Sequence, residues 1–171
     1  RVTDPAGTTT SYDYEETTGR LKSVTNALGK STYYAYNSYG QMVYQWGDSV
    51  YPIALEYDKL GQKTQQKTYR GGSSWTASSW PSSANADVTT WSYDSSSGLV
   101  TARTDAQNQS IRYTYRPDGK LLTRTRARQE SNQPLTTSYS YDSATGELLK
   151  ADYSDGTADV IRTYNRIGNL A

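Results

Sequence analysis

The sequence predicts an all-β protein, an array of antiparallel β-hairpins laid side by side in one strip. Three features lead there. A tyrosine followed by a glycine four or five positions on recurs seven times along 171 residues. The stretches between these turns alternate apolar and polar side chains with a period of two, the pattern of successive hairpins. The bulky residues are 17 Tyr and 4 Trp with no Phe, and Tyr and Thr both favour the pleated strand.

The seven units are Tyr14/Gly19, Tyr36/Gly40, Tyr57/Gly61, Tyr93/Gly98, Tyr115/Gly119, Tyr141/Gly146 and Tyr164/Gly168. Successive tyrosines are 22, 21, 36, 22, 26 and 23 residues apart. The underlying period is therefore about 22, enough for two short strands and two turns. Two positions after each glycine stands Leu21, Met42, Lys63, Val100, Leu121, Leu148 or Leu170, six of the seven apolar. Such a fixed period makes a quasi-one-dimensional array, in which each hairpin contacts chiefly its neighbours.

A second turn lies between tyrosines. Thr3-Asp4-Pro5-Ala6-Gly7, Thr25-Asn26-Ala27-Leu28-Gly29 and Thr104-Asp105-Ala106-Gln107-Asn108 each begin eleven residues before a repeat tyrosine. The strand entering the Tyr–Gly turn places Ile111, Tyr113 and Tyr115 on one face and Arg112 and Thr114 on the other. Ile53, Leu55 and Tyr57 likewise oppose Ala54 and Glu56. The expectation is one aromatic and aliphatic face, forming core or lumen lining, and one charged and small face. Residues 1–171 are expected to form a single array that cuts through a repeat at each end, an open strip with two exposed edges. Residues 70–90 break the rhythm; Gly71-Gly72-Ser73-Ser74 and Pro81-Ser82-Ser83 suit a long loop or extended hairpin. Trp75 and Trp80 within it are candidate contact residues.

Composition excludes several functions. There is no Cys and no His, so disulfides, thiolate or imidazole metal sites and His-based acid–base chemistry are absent from this segment. No apolar run approaches the roughly 20 residues of a membrane helix. The 18 basic and 17 acidic residues balance and give no electrostatic footprint for nucleic acid. No catalytic, cofactor or metal residue is assigned, and the segment is expected not to be an enzyme.

Other features have two readings each. The tyrosine ladder could stack on sugars or pair across strands. The Asp or Asn after each tyrosine could ligate calcium or bond the backbone two residues on. Glu15-Glu16 could do acid–base work or lie solvated at a turn. Asn108-Gln109-Ser110 has the form of a glycosylation sequon. Arg124, Arg126 and Arg128 form a positive stripe, for guarding an edge strand or for binding an anion or partner.

Tyr57-Asp58, Tyr93-Asp94 and Tyr141-Asp142, each followed by a glycine, resemble the RHS/YD-repeat superfamily. Tyr36-Asn37 and Tyr164-Asn165 are near matches, while Tyr14-Glu15 and Tyr115-Arg116 depart at the second position. The resemblance covers essentially the whole chain. It implies a curved or spiralling strip that builds a hollow shell, as in bacterial Rhs toxins, insecticidal toxin-complex cocoons and teneurins. It further implies a structural segment of a secreted or cell-surface bacterial protein, without cofactor, whose partners are the rest of the shell and an enclosed C-terminal toxin. An adhesion scaffold binding glycan or protein is the alternative, and the exposed edges could also pair two copies. Asp4-Pro5-Ala6-Gly7 is superficially like the family's cleavage signature, but its register marks an ordinary repeat half.

Overall fold

The computed structural model describes residues 1–70, 75, 76, 78, 80 and 85–171. The strands are β1 (Val2–Thr3), β2 (Thr9–Tyr14), β3 (Leu21–Thr25), β4 (Ser31–Tyr36), β5 (Met42–Gly47), β6 (Ile53–Tyr57) and β7 (Lys63–Tyr69). They continue with β8 (Ala86–Tyr93), β9 (Val100–Thr104), β10 (Ser110–Tyr115), β11 (Leu121–Glu130), β12 (Gln133–Tyr141), β13 (Leu148–Tyr153) and β14 (Val160–Ile161). Their order in the sheet is their order in the chain, and the pairings are antiparallel. Among the described residues there is no helix, as the alternation predicts.

The chain divides into two compact units, Arg1–Thr90 and Trp91–Ala171. In the insertion, Gly71-Gly72-Ser73-Ser74, Ala77, Ser79 and Pro81-Ser82-Ser83-Ala84 lie outside the described residues. Its flanks are paired strands, with Tyr69 opposite Ala86.

The Tyr–Gly turns have two lengths, and the residue before the glycine separates them. The shorter turns after Tyr36, Tyr57, Tyr115 and Tyr164 close with the glycine N–H on the carbonyl three residues back. Gly40 donates in this way to Asn37 at 3.0 Å, Gly61 to Asp58 at 3.1 Å and Gly168 to Asn165 at 3.0 Å. The longer turns after Tyr14, Tyr93 and Tyr141 close four residues back, with Gly19 on Glu15 and Gly98 on Asp94, both at 2.9 Å. Each longer turn carries Thr18, Ser97 or Thr145 before its glycine, and that hydroxyl accepts the N–H two residues on at 3.3 Å. In both lengths the glycine has positive φ, from +69° at Gly19 to +84° at Gly40, a region open to glycine at little steric cost. Asn108 takes the same conformation, at +59°, as its short polar side chain permits.

Immediately after these turns a β-bulge recurs. Tyr14 pairs with Leu21 and Asp13 with Ser23, so Lys22 is extra. Val43, Thr64, Leu122 and Leu149 are skipped in the same way. A bulge adds a residue to one strand and bends it locally.

The registers correct the expected segregation of faces. In the first unit Tyr33 faces Trp46, Tyr44 faces Ala54, and Ala54 faces Lys67. These pairs put the buried cluster of Trp46, Ala54 and Tyr69 on the face opposite Ile53 and Leu55, the one expected to be charged and small. The cause is the insertion: Trp75 and Trp80 fold onto that face and exclude water from it. In the second unit Tyr113 faces Arg124 and Ile111 faces Arg103, so arginines share the tyrosine face. Leu135, Thr137 and Ala151 are buried there.

Candidate functional site

The repeat tyrosines act between hairpins. Tyr36 donates its hydroxyl proton to the carbonyl of Leu21 at 2.9 Å, and Tyr57 to that of Met42 at 2.9 Å. Tyr115 donates to Val100 at 2.8 Å, Tyr141 to Leu121 at 2.8 Å and Tyr164 to Leu148 at 3.0 Å. Every acceptor is the residue two positions after the preceding unit's glycine. The apolar position noted in the sequence is thus the place whose carbonyl receives the next tyrosine. Burial pushes the Tyr36, Tyr57, Tyr115 and Tyr141 hydroxyls above the ordinary phenol range. They remain donors at neutral pH. Tyr14 is 53% exposed and makes no such bond among the described residues.

The staple is needed because the strands joining one unit to the next pair only toward their other end. Between β3 and β4 the pairs run from Ser23–Tyr33 to Thr25–Ser31, leaving Leu21 and Tyr36 beyond the ladder. Between β9 and β10 they stop at Ala102–Arg112, short of Val100 and Tyr115. A carbonyl beyond the ladder needs another donor, and the phenol supplies it.

The residue after the glycine makes a second link, in the opposite direction. Arg20 donates to the carbonyl of Asn37 at 3.3 Å, Gln41 to Gly61 at 3.2 Å and Lys120 to Gly146 at 2.8 Å. This link divides the repeat glycines, which the sequence presents as equivalent. A Cβ on Gly40 would lie 3.0 Å from the Arg20 guanidinium, and one on Gly168 would lie 3.1 Å from the Glu147 carboxylate. Gly61 and Gly146 meet the Gln41 amide and the Lys120 ammonium in the same way, so these four glycines leave room for a side chain from the unit before, as well as closing their own turns. Gly19 serves its own turn alone, since a side chain placed there would meet nothing within 4 Å. Gly119 is equally open, because the linking position before it is the apolar Leu99. A recess of about 520 Å³ opens between those two turns, bordered by Leu99, Tyr113, Tyr115 and Arg116.

The Asp or Asn after the tyrosine organises the turn. Asn37 Oδ1 accepts the N–H groups of Tyr39 and Gln41, and Asp58 those of Leu60 and Gln62. Asp94 accepts from the hydroxyls and the N–H groups of Ser96 and Ser97. Those bonds, the Ser96 hydroxyl foremost, hold its carboxyl down at about 2. Glu15 fills the same place with the Thr18 hydroxyl as its partner. At Tyr115, Pro117 replaces this device by fixing φ, and Arg116 pairs with Asp118 at 3.4 Å. Among the described residues no group of three or more carboxylates is placed to hold a metal ion.

Trp75 and Trp80 turn toward the sheet. Trp80 stacks on Tyr44 with centroids 4.3 Å apart and meets Trp46 edge-on at 5.6 Å. Trp75 packs on Tyr69 at 5.2 Å and is only 8% exposed. The sequence marked the two tryptophans but not the Tyr33, Tyr44, Trp46 and Tyr69 platform that receives them. Of the arginine stripe, Arg124 lies where β11 is paired on both sides. Arg126 and Arg128 lie past the last pair with β10 and fall within a register shift against β12. Edge protection is therefore open only to those two. Among the described residues no helix is long and apolar enough to cross a membrane.

A sheet of two-turn hairpins, five of them tied to the one before by a tyrosine hydroxyl, defines a repeat-built β wall. The sequence model for the teneurin YD-shell matches residues 2–133, and the chain belongs to that family. Solved structures agree in fold. The Tc holotoxin pore of Photorhabdus luminescens with a TccC3 mutation superposes with a TM-score of 0.67 at 22% identity, covering 94% of this chain and 8% of that one. TcdB2-TccC3 without its hypervariable C-terminal region gives 0.59 at 18%, covering 98% and 10%, and TcdB2-TccC3-Cdc42 gives 0.56 at 18%, covering 96% and 10%. The chain thus spans about a tenth of the length of the structures it matches. No curated protein matches it by sequence.

Proposed function

We propose that this chain is a non-catalytic wall segment of an Rhs-type β shell, and that the shell encloses a C-terminal toxin or effector in a secreted or surface bacterial protein. The observation that carries this reading is the staple: five tyrosine hydroxyls each tie one hairpin to the one before. Such a device serves continuity of a wall. Membership of the YD-shell family supports it, as does likeness to TccC3 structures, one of them described as lacking a hypervariable C-terminal region. The adhesion reading gains no comparable support, because Trp75 and Trp80 are spent on the sheet.

The test is limited proteolysis of the full-length protein that carries this chain. The sequence C-terminal to the wall should resist protease while the wall is intact. It should become cleavable when the hairpin 121–141 is deleted. Equal digestion before and after that deletion would defeat the proposal.

A further inference from the structure

The second unit bears a cluster of arginines that form no ion pair among its described residues. Cross-strand pairing places Arg103 beside Ile111 and Arg124 beside Tyr113, all four on one face. Arg103, Ile111 and Arg126 also border one recess of about 260 Å³. Among the described residues the ion pairs of this unit are made by Arg116, Lys120 and Lys150, and none by these three arginines. The carboxylate at the recess, Asp105, accepts the N–H groups of Gln107 and Gln109 through Oδ1 in its own turn and makes no ion pair with the arginines among the described residues. Arg126 contributes to keeping Asp155's carboxyl low, though only after the hydrogen bonds from Thr157. Arg124 Nε is buried and has no hydrogen-bond partner among the described residues, which is costly for a charged group unless a ligand supplies one.

Shape and charge together select the occupant. Guanidinium groups take carboxylates or phosphates in paired hydrogen bonds. A bare oxyanion would use the arginines and ignore the apolar residues between them. Here Arg103 neighbours Ile111 and Arg124 neighbours Tyr113, with Arg103 over the Trp91 ring at 5.8 Å. Ile111 and Tyr113 are two positions apart on β10, about 7 Å along a strand. An extended peptide repeats its side chains on one face at that same interval. We propose that this face binds an extended acidic polypeptide segment whose every second residue, on the side turned to the sheet, is by turns a carboxylate and an apolar side chain, the carboxylates on Arg103, Arg124 and Arg126 and the apolar groups against Ile111 and Tyr113. The inference stands apart from the enclosure reading, since it requires only the surface of the second unit.

The experiment is fluorescence anisotropy of a labelled peptide with glutamate and valine taking turns at every second position and threonine at the positions between, titrated with the full chain. Saturable binding is expected that weakens as salt rises, with Kd increasing about tenfold for Arg103→Gln and again for Arg126→Gln. Both side chains are exposed, so unchanged melting temperatures should confirm folding. Arg128→Gln, outside the recess but equal in charge, should alter Kd less than about twofold, and the same peptide with glutamine in place of each glutamate should not bind. The proposal is overturned by absence of saturation, by equal loss in Arg128→Gln, or by inorganic phosphate binding the same site more tightly than the peptide.

Discussion

The hydroxyl of Tyr57 donates a 2.9 Å hydrogen bond to the carbonyl of Met42, beyond the last paired residues of their two strands, Tyr44 and Ala54. The ring covers the end of the ladder and its hydroxyl closes it. This contact explains why the repeat specifies tyrosine in preference to the more apolar phenylalanine, which the chain lacks altogether. A phenylalanine would cover the gap and leave the carbonyl to water.

Two glycines should respond oppositely to substitution. Gly47 has φ +141°, and a Cβ there would lie 2.0 Å from the Ser31 carbonyl oxygen. Since the obstacle is backbone, Gly47→Ala should cost about 3 kcal/mol in urea unfolding. Gly29, at φ +74°, has open space around it and occupies the place held by Asn108 in another unit. Gly29→Asn should change stability by less than about 1 kcal/mol.

The interrupted link at Leu99 can be completed. Leu99→Gln should let an amide reach the Gly119 turn as Gln41 reaches Gly61, raising stability by about 0.5 kcal/mol. Lys120→Met should lower it by a similar amount by removing the 2.8 Å bond to Gly146. Denaturant midpoints of the two variants measure both effects.

Trp75→Ala should destabilise the first unit by about 3 kcal/mol, as expected for a buried aromatic truncated to alanine. Trp75 touches Tyr69 and Trp80, so the near-ultraviolet circular dichroism should weaken as well. A variant that unfolds at the parental denaturant concentration would show that the insertion does not hold this face.

Acid should loosen the Tyr93–Gly98 turn. The Asp94 carboxyl is held at about 2, below its ordinary 3.8, chiefly by the Ser96 hydroxyl. A depressed folded-state pKa contributes stability that is present above the unfolded value and lost as pH falls through the folded one. Amide exchange at Ser96 and Ser97 should therefore gain a component between about pH 4 and pH 2 that Asp94→Asn lacks. Asn37 already serves the same turn role without a charge.

The hairpins were legible because their signals are local. A glycine at positive φ and an Asp or Asn bonded two residues on, as at Asp58 and Gly61, act within one turn. The second demand on Gly40, Gly61, Gly146 and Gly168, room for Arg20, Gln41, Lys120 and Glu147, comes from a neighbouring unit and leaves no mark on the glycine itself. The staple left a fainter trace, a tyrosine fifteen residues after an apolar position, as Tyr36 follows Leu21. Its partner is a carbonyl, which any residue offers, so residue identity alone does not reveal it. Which face is buried was not legible at all. Trp75 and Trp80 decide it in the first unit from outside the repeat, and the sequence alternation assigns Ala54 and Glu56 to solvent. In the second unit Arg103 and Arg124 sit beside Ile111 and Tyr113 through cross-strand register, which no single strand displays.

If tyrosine hydroxyls bind each hairpin to its predecessor, removing the hydroxyls one at a time must weaken the sheet. Urea unfolding of Tyr36→Phe, Tyr57→Phe, Tyr115→Phe, Tyr141→Phe and Tyr164→Phe should each show a loss of about 1 kcal/mol. Tyr14→Phe, whose hydroxyl is exposed and makes no such bond among the described residues, should show none. Equal losses at Tyr14 and the other five, or no loss at any of them, would refute the staple.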